Sequence, residues 1–283
     1  MHGSPQAPYG VFMDDGNKPP PHGYGVNTDD PLADGLVGAW YMQEGGGDVV
    51  HDSAGGNHGT INGATWATGP WGPALQGDDI NPAAVTDTDT EALNFTGDHT
   101  LMAWLIPNGT LRHGLISRFS EGYKGWRFTT DYFDATHEKL TYYNTGCGTV
   151  STGGVLLRSL TRPVQCALAV RVNVGGTFFV DGIEVGSWAD TSSSPIPTTI
   201  PTPIRLGVYG ETAWPLAGQL LQCSVFDRAL SPSEIQALYL NPYASITPKT
   251  QFPFAAPAAG STLPSLLESG MFAGGFQTIG GGL

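Results

Sequence analysis

An Asp-Gly pair between two β-rich runs is the feature that most restricts this chain. Thr177-Phe178-Phe179-Val180 leads into Asp181-Gly182, and Ile183-Glu184-Val185-Gly186 leads away from it. Two-residue hairpin turns need backbone with positive φ, which Asp tolerates and Gly adopts freely, so a hairpin is expected here. After a polar Pro/Ser/Thr insert, Leu216-Ala217-Gly218-Gln219-Leu220 and Val225-Phe226 read as further strand. A helix then opens. Ser231 is suited to the N-cap, Pro232 to the first helical position, and Glu234 three residues after the cap completes a capping box. Ile235, Leu238 and Tyr239 fall on one face of that short helix.

Composition supports strands over helices elsewhere. Among 283 residues there are 40 Gly and 22 Pro, and only 13% are charged, which implies many turns and short strands. A hydrophobic fraction of 40% is enough for a real core. The net charge of −13, with only 12 Lys and Arg, argues against nucleic acid, because phosphate must be neutralised by cations. For the same reason no anionic membrane partner is expected. No run has the apolar length of a transmembrane helix. Cys147, Cys166 and Cys223 are an odd set and read as free thiols. Residues 1–8 show neither a basic n-region nor an apolar h-region, so synthesis in a reducing cytoplasm is expected.

Several motifs together resemble the laminin-G-like, concanavalin A-like lectin/glucanase jelly-roll family in its bacterial and phage form. Gly35-Leu36-Val37-Gly38-Ala39-Trp40-Tyr41 is similar to its opening strand. Asp52-Ser53-Ala54-Gly55-Gly56-Asn57-His58-Gly59 is similar to its Asp-Ser-Ser-Gly-Asn loop, and Leu101-Met102-Ala103-Trp104-Leu105-Ile106-Pro107 to its Ala-Trp strand. The Asp181-Gly182 hairpin and the Val225–Pro232 run complete the set. Cys166-Ala167-Leu168-Ala169-Val170 matches the central strand, with Gln165 where the family usually has Trp. The resemblance implies an all-β fold: an antiparallel β-sandwich (jelly roll) with one short C-terminal helix and extended N- and C-terminal arms. The expected boundaries are an arm over 1–33, a jelly roll over 34–243 and an apolar, Gly-rich arm over 244–283. Within the jelly roll, Trp40, Trp66 and Trp104 are expected to pack, Trp126 and Phe128 to share a face, and Tyr142 and Tyr143 to point to opposite faces.

The glucanases of this fold carry Glu-x-Asp-x-x-Glu on one strand face for retaining hydrolysis, and this sequence lacks it. Asp87 and Asp89 have a suitable separation but sit in a Thr/Asp loop. No enzyme is expected. Relatives often hold calcium, and Asp52, Asn57, Asp78 and Asp79 are oxygen donors of the right kind. Leu221 and Gln222 stand where the family places an Asp-Glu pair, so no metal or other cofactor is expected. Asp52 and Asn57 read instead as a turn bonded to its own backbone. Sugar platforms use exposed aromatic faces beside hydrogen-bonding groups, and the candidates are Trp71, Trp126, Trp188, Tyr209 and Trp214.

The arms suggest assembly. Phe12 in the first, and Phe252, Phe254, Leu266, Leu267, Met271, Phe272, Phe276 and Ile279 in the second, are too apolar for a solvated tail. The reading taken is a non-enzymatic virion structural protein of a tailed phage, a capsid decoration or tail-associated subunit on the virion surface, made in the host cytoplasm. Its expected partners are other virion proteins, copies of itself and cell-surface glycans. The alternative is a secreted or cell-surface carbohydrate-binding module, and a glycoside hydrolase comes third.

Overall fold

The computed structural model describes residues 24–78, 84–86, 93–108, 112–120, 124–157, 160–189, 202–209 and 215–248. Strands come in this order: β1 (Tyr24–Val26), β2 (Leu36–Trp40), β3 (Val49–Val50), β4 (Gly59–Ile61), β5 (Thr65–Gly69), β6 (Gly72–Asp78) and β7 (Ala84–Thr86). Next are β8 (His99–Pro107), β9 (His113–Ser120), β10 (Lys124–Tyr132), β11 (Glu138–Asn144) and β12 (Gly148–Ser151). The remainder are β13 (Val164–Arg171), β14 (Gly175–Val180), β15 (Ile183–Ala189), β16 (Arg205–Leu206), β17 (Ala217–Phe226) and β18 (Ile246–Pro248), with helix α1 (Pro232–Leu240) between the last two.

Two antiparallel sheets face each other. The first has the order β15-β14-β13-β8-β17-β6-β5, with β2 also on β17, and the second the order β12-β11-β10-β9-β16-β7-β4-β3. Strand β17 gives one edge to two partners, β6 along Ala217–Leu220 and β2 along Cys223–Phe226. Alternation along the strands sets what fills the interior. Leu101, Ala103 and Leu105 of β8 and Cys166 and Leu168 of β13 meet Trp126, Phe128, Leu140, Tyr142 and Leu206 of the second sheet. Each fully buried side chain of this size contributes roughly 1.5–3 kcal/mol of transfer free energy.

The other face of the first sheet is covered as well. Met102, Ala167, Ala169 and Phe179 pack under Ile235 and Leu238 of α1, while Trp104 stacks on Tyr239 at 5.6 Å with the rings 7° apart. Burial on both faces explains why the β8 and β13 runs are almost continuously apolar instead of alternating. The capping box is present: Ser231 Oγ accepts the Glu234 N–H at 3.3 Å and Glu234 Oε2 accepts the Ser231 N–H at 2.8 Å. The hairpin turn is present too, with φ of 51° at Asp181 and 73° at Gly182.

Strand structure runs past both expected edges of the jelly roll. Strand β1 pairs with β18 in the register Tyr24↔Pro248, Gly25↔Thr247, Val26↔Ile246, so residues from both expected arms form one ribbon. Ile246 is buried and Val26 half-buried against the α1 side of the first sheet. Three-residue strands are too short to show a period, and their stability comes from the pairing and from that packing.

Candidate functional site

The second sheet's outward positions carry the polar chemistry. On β10, Trp126 and Phe128 enter the core, so Arg127, Thr129 and Asp131 take the opposite face. Register places Arg205 of β16, Ser117 of β9, Arg127 of β10 and Tyr143 of β11 in one row across four strands. The Arg127 guanidinium carbon lies 4.2 Å from the Tyr209 ring centroid, 4.7 Å from Tyr143 and 5.0 Å from Phe119. Its Nη1 donates to the Tyr209 hydroxyl. Ring faces attract a cation through their quadrupole, so the three aromatics fix the guanidinium of a residue that is only 9% exposed. Phe119 meets Tyr143 edge-on at 5.4 Å and Tyr209 at 5.5 Å, which locks the rings in turn. Arg205 Nη1 donates to the Phe119 carbonyl at 3.4 Å, and Ser117 Oγ to the Val208 carbonyl at 2.9 Å.

The next row pairs Thr129 with Thr141, both buried, and neither hydroxyl has a hydrogen-bond partner. Beyond it, Asp131 accepts from Arg112 Nε at 2.6 Å and lies 3.8 Å from Lys139 Nζ. Among the described outward positions of β9 to β12, Asp131 is the acid. One carboxylate already held by two cations does not supply the nucleophile and acid pair of retaining hydrolysis. Ser117 and Thr129 are fully buried and Arg205 and Arg127 are 7% and 9% exposed, so this face offers a ligand the half-buried Tyr143 and Tyr209 rings and Asp131, with the cationic donors and hydroxyls largely covered.

Among the described residues, the aromatics singled out from the sequence do not gather into a platform. Trp71, 7% exposed, is wedged against Trp104 at 4.8 Å and Tyr243 at 6.4 Å on the helix side of the first sheet. Trp126 is fully enclosed between the sheets and tilts over Phe95 at 5.4 Å. Those two present no face to a ligand, because flanking Gly and Pro mark turns whose large side chains fold back into the core. Trp188 is half-buried against Phe178 at 5.2 Å and lies across Gly176, where an added Cβ would come within 2.1 Å of the indole. Tyr209 belongs to the arginine cluster. Trp214 lies outside the described residues, as do Phe12, Phe252, Phe254, Leu266, Leu267, Met271, Phe272, Phe276 and Ile279. Arg127, Phe119 and Tyr143 were not singled out. Their signal was the Arg127-Thr129-Asp131 alternation opposite Trp126 and Phe128.

The oxygen donors considered for calcium are otherwise engaged or out of view. Asp52 accepts the backbone N–H groups of Ala39, Ala54, Gly55 and Asn57 and the Asn57 side-chain amide, at 2.8–3.0 Å. That is the self-bonded turn expected of the loop. Leu221 packs against Trp71 and Trp104, and Gln222 donates to the Pro242 carbonyl at 3.2 Å. Asp78 ends β6 opposite Ala217, and Asp79, Asp87 and Asp89 lie outside the described residues.

Exposed aromatics do occur at the β10–β11 turn, where Tyr132 is 45% and Phe133 49% exposed. The turn is tied by Asp134, whose Oδ1 accepts the N–H groups of Thr136 at 2.8 Å and His137 at 2.9 Å and the Thr136 hydroxyl at 2.9 Å. The Thr136 backbone N–H, followed by the His137 side chain, holds the Asp134 carboxyl well below the usual carboxylate range.

A family model for the concanavalin A-like lectin/glucanases superfamily matches residues 79–236, more than half of the chain. This chain belongs to that superfamily. Solved structures agree on the superfamily's fold. The binding domain of Paraclostridial Mosquitocidal Protein 1 superimposes with a TM-score of 0.56 at 15% identity, covering 74% of this chain and 52% of that one. Trypanosoma rangeli sialidase in complex with sialic acid gives 0.53 at 18% identity, covering 74% of this chain and 33% of the sialidase. The binding domain of Botulinum Neurotoxin DC in complex with SialylT gives 0.53 at 10% identity, covering 74% and 52%. The chain thus spans about half the length of the two toxin binding domains and about a third of the sialidase. No curated protein matches it.

Proposed function

We propose that this chain is a non-enzymatic carbohydrate-binding module that engages glycan through the outward face of its second sheet. The observation that carries this reading is Arg127, held by three aromatic rings in a row that also includes Arg205, Ser117 and Tyr143. The guanidinium is itself nearly covered and holds the half-buried Tyr143 and Tyr209 rings in place, and rings fixed before binding lose little entropy on meeting a sugar. The superfamily supports the reading, since lectins are among its members. So do the similar structures, two of which are binding domains and two of which hold sialic acid or a sialylated ligand. The test is a glycan array on the full chain, followed by titration of the strongest glycan. Arg127→Lys keeps the charge but loses the planar fork, and should weaken that glycan roughly tenfold with the β-sheet circular dichroism intact. A wild-type protein that captures no glycan sinks the reading.

A finer reading makes the module a virion surface subunit of a tailed phage, synthesised in the host cytoplasm and anchored by its arms. One observation favours an anchor. The register Tyr24↔Pro248 places two short strands from the expected arms side by side in one ribbon. The comparisons lend the virion placement no support, and it rests on the apolar sequence of the arms. Purified source particles, probed with antibody to the sandwich, test it; particles free of the protein remove it.

A further inference from the structure

Tyr132 and Phe133 are adjacent and exposed, and the Phe133 ring is fixed in place. The fixing has two parts. Asp134 ties the turn through Thr136 and His137, and the His137 carbonyl accepts the N–H groups of both Phe133 and Asp134 at 3.2 Å. The Phe133 ring also rests on Gly154, where an added Cβ would come within 2.6 Å of Phe133 Cδ1. The ring is thus backed by the chain while about half of it stays exposed. Around it stand groups able to hydrogen-bond: Thr136 is exposed, and the side chains of His137 and Asp134 are 39% and 47% exposed.

We propose that the β10–β11 turn is a sugar-stacking platform, in which Phe133 takes the apolar face of a pyranose ring and Asp134, Thr136 and His137 meet its hydroxyls. This rests on the reading of the chain as a carbohydrate-binding module and adds a contact apart from the arginine row. Six residues of extended chain separate Phe133 from Arg127, about 20 Å, so one monosaccharide does not reach both. The patch suits a sugar better than the other occupants. It is a few side chains wide, against the roughly 20–30 residues a side of a stable protein interface. A charge of −13 on the chain and a carboxylate at the turn disfavour an anionic bilayer. A sugar needs one or two backed aromatic faces beside polar groups, which is what the turn supplies.

The experiment uses the full chain. Wild type, Tyr132→Ala, Phe133→Ala and Phe133→Tyr are titrated with the glycan that scores highest for wild type on an array holding neutral and sialylated oligosaccharides. Phosphatidylcholine vesicles serve as a parallel probe. Both rings are exposed, so the alanine variants should fold normally. Phe133→Ala should lose roughly threefold to tenfold in affinity, Tyr132→Ala should lose less, and Phe133→Tyr should retain binding. Glycan binding by wild type that survives Phe133→Ala undiminished overturns the platform and leaves the module reading intact. No glycan binding by wild type overturns the module reading and the platform with it. Vesicle binding that disappears in Phe133→Ala, without a glycan effect, replaces the sugar with a bilayer.

Discussion

Gln165 and Asp181 bind each other's backbone across the root of the Asp181-Gly182 hairpin. The Asp181 N–H donates to the Gln165 carbonyl at 2.9 Å, and Asp181 Oδ1 accepts the Gln165 N–H at 3.0 Å. The Gln165 side chain then reaches the next residue, its Oε1 accepting the Gly182 N–H at 3.1 Å. Gln165 is fully buried, with Nε2 on Met102 Sδ at 3.2 Å. The polar residue in the place of the family's usual Trp thus has its own work, satisfying a buried turn amide.

Gln165→Ala should therefore destabilise the sandwich by about 1–3 kcal/mol, the cost of leaving the buried Gly182 N–H unpaired. Urea unfolding followed by tryptophan fluorescence measures it. An unchanged midpoint would mean that the turn amide finds another partner.

Gly182 itself should be harder to replace. Its φ is 73°, and an added Cβ would lie 3.1 Å from Tyr239 Cβ and 3.2 Å from Gln236 Cα of the helix. Gly182→Ala combines left-handed strain with crowding against α1, so a loss on the order of 2 kcal/mol is expected. Asn at the same position relieves part of the strain but not the crowding, so Gly182→Asn as stable as wild type would refute the crowding account.

These local devices were legible in the sequence because each is carried by neighbours. Asp181-Gly182 specifies a turn, Ser231 and Glu234 a cap, and Trp126 with Phe128 an inward face. Tyr142 and Tyr143 also divide as alternation demands, the first into the core and the second onto the arginine. What could not be read depends on residues far apart in the chain. Trp71 reaches Trp104, and Arg127 meets Tyr209, only once strands have paired. The β1–β18 ribbon likewise joins Val26 to Ile246, and neither flank has a period to betray it.

That ribbon should contribute measurably. Ile246 is buried against the helix side of the first sheet, so Ile246→Ala is expected to cost about 2–3 kcal/mol. A chain ending at residue 243, which loses β18 altogether, should melt lower than one ending at 248. Equal melting temperatures for the two truncations would show that the ribbon adds nothing.

The capping box predicts a smaller effect. Glu234 bonds the Ser231 N–H and also pairs with Arg228 Nη2 at 2.7 Å, and these contacts, Arg228 first, pull its carboxyl down to about 2. Ser231→Ala should cost about 1 kcal/mol, seen as a lower urea midpoint at pH 7. If the midpoint does not move, the first turn of α1 is held by its packing on the sheet instead.

His99 should make the fold sensitive to mild acid. It is fully buried and stacked on Phe95 at 4.8 Å, with Nδ1 on the Gly97 carbonyl at 3.0 Å and Nε2 on the Tyr142 hydroxyl at 2.9 Å. A carbonyl can only accept, so Nδ1 carries the hydrogen and Nε2 accepts from Tyr142; the ring is neutral. Burial, outweighing the Gly97 bond and the charge of Asp98, pulls its pKa down from 6.5 to about 4. The folded pKa is therefore below the unfolded one. As pH falls the unfolded chain takes up the proton first, so stability present above about 6.5 is lost progressively down to about 4 and stays flat below. The shift corresponds to about 3 kcal/mol over that window. Glu234 overlaps with it only between 4.5 and about 4, since its stabilisation is lost between 4.5 and about 2. Urea unfolding at pH 7.5, 6.0, 5.0 and 4.2 should show the slope in wild type and a flatter profile in His99→Gln, whose amide can keep the Tyr142 bond without titrating. Parallel profiles in the two proteins would take the acid sensitivity away from His99.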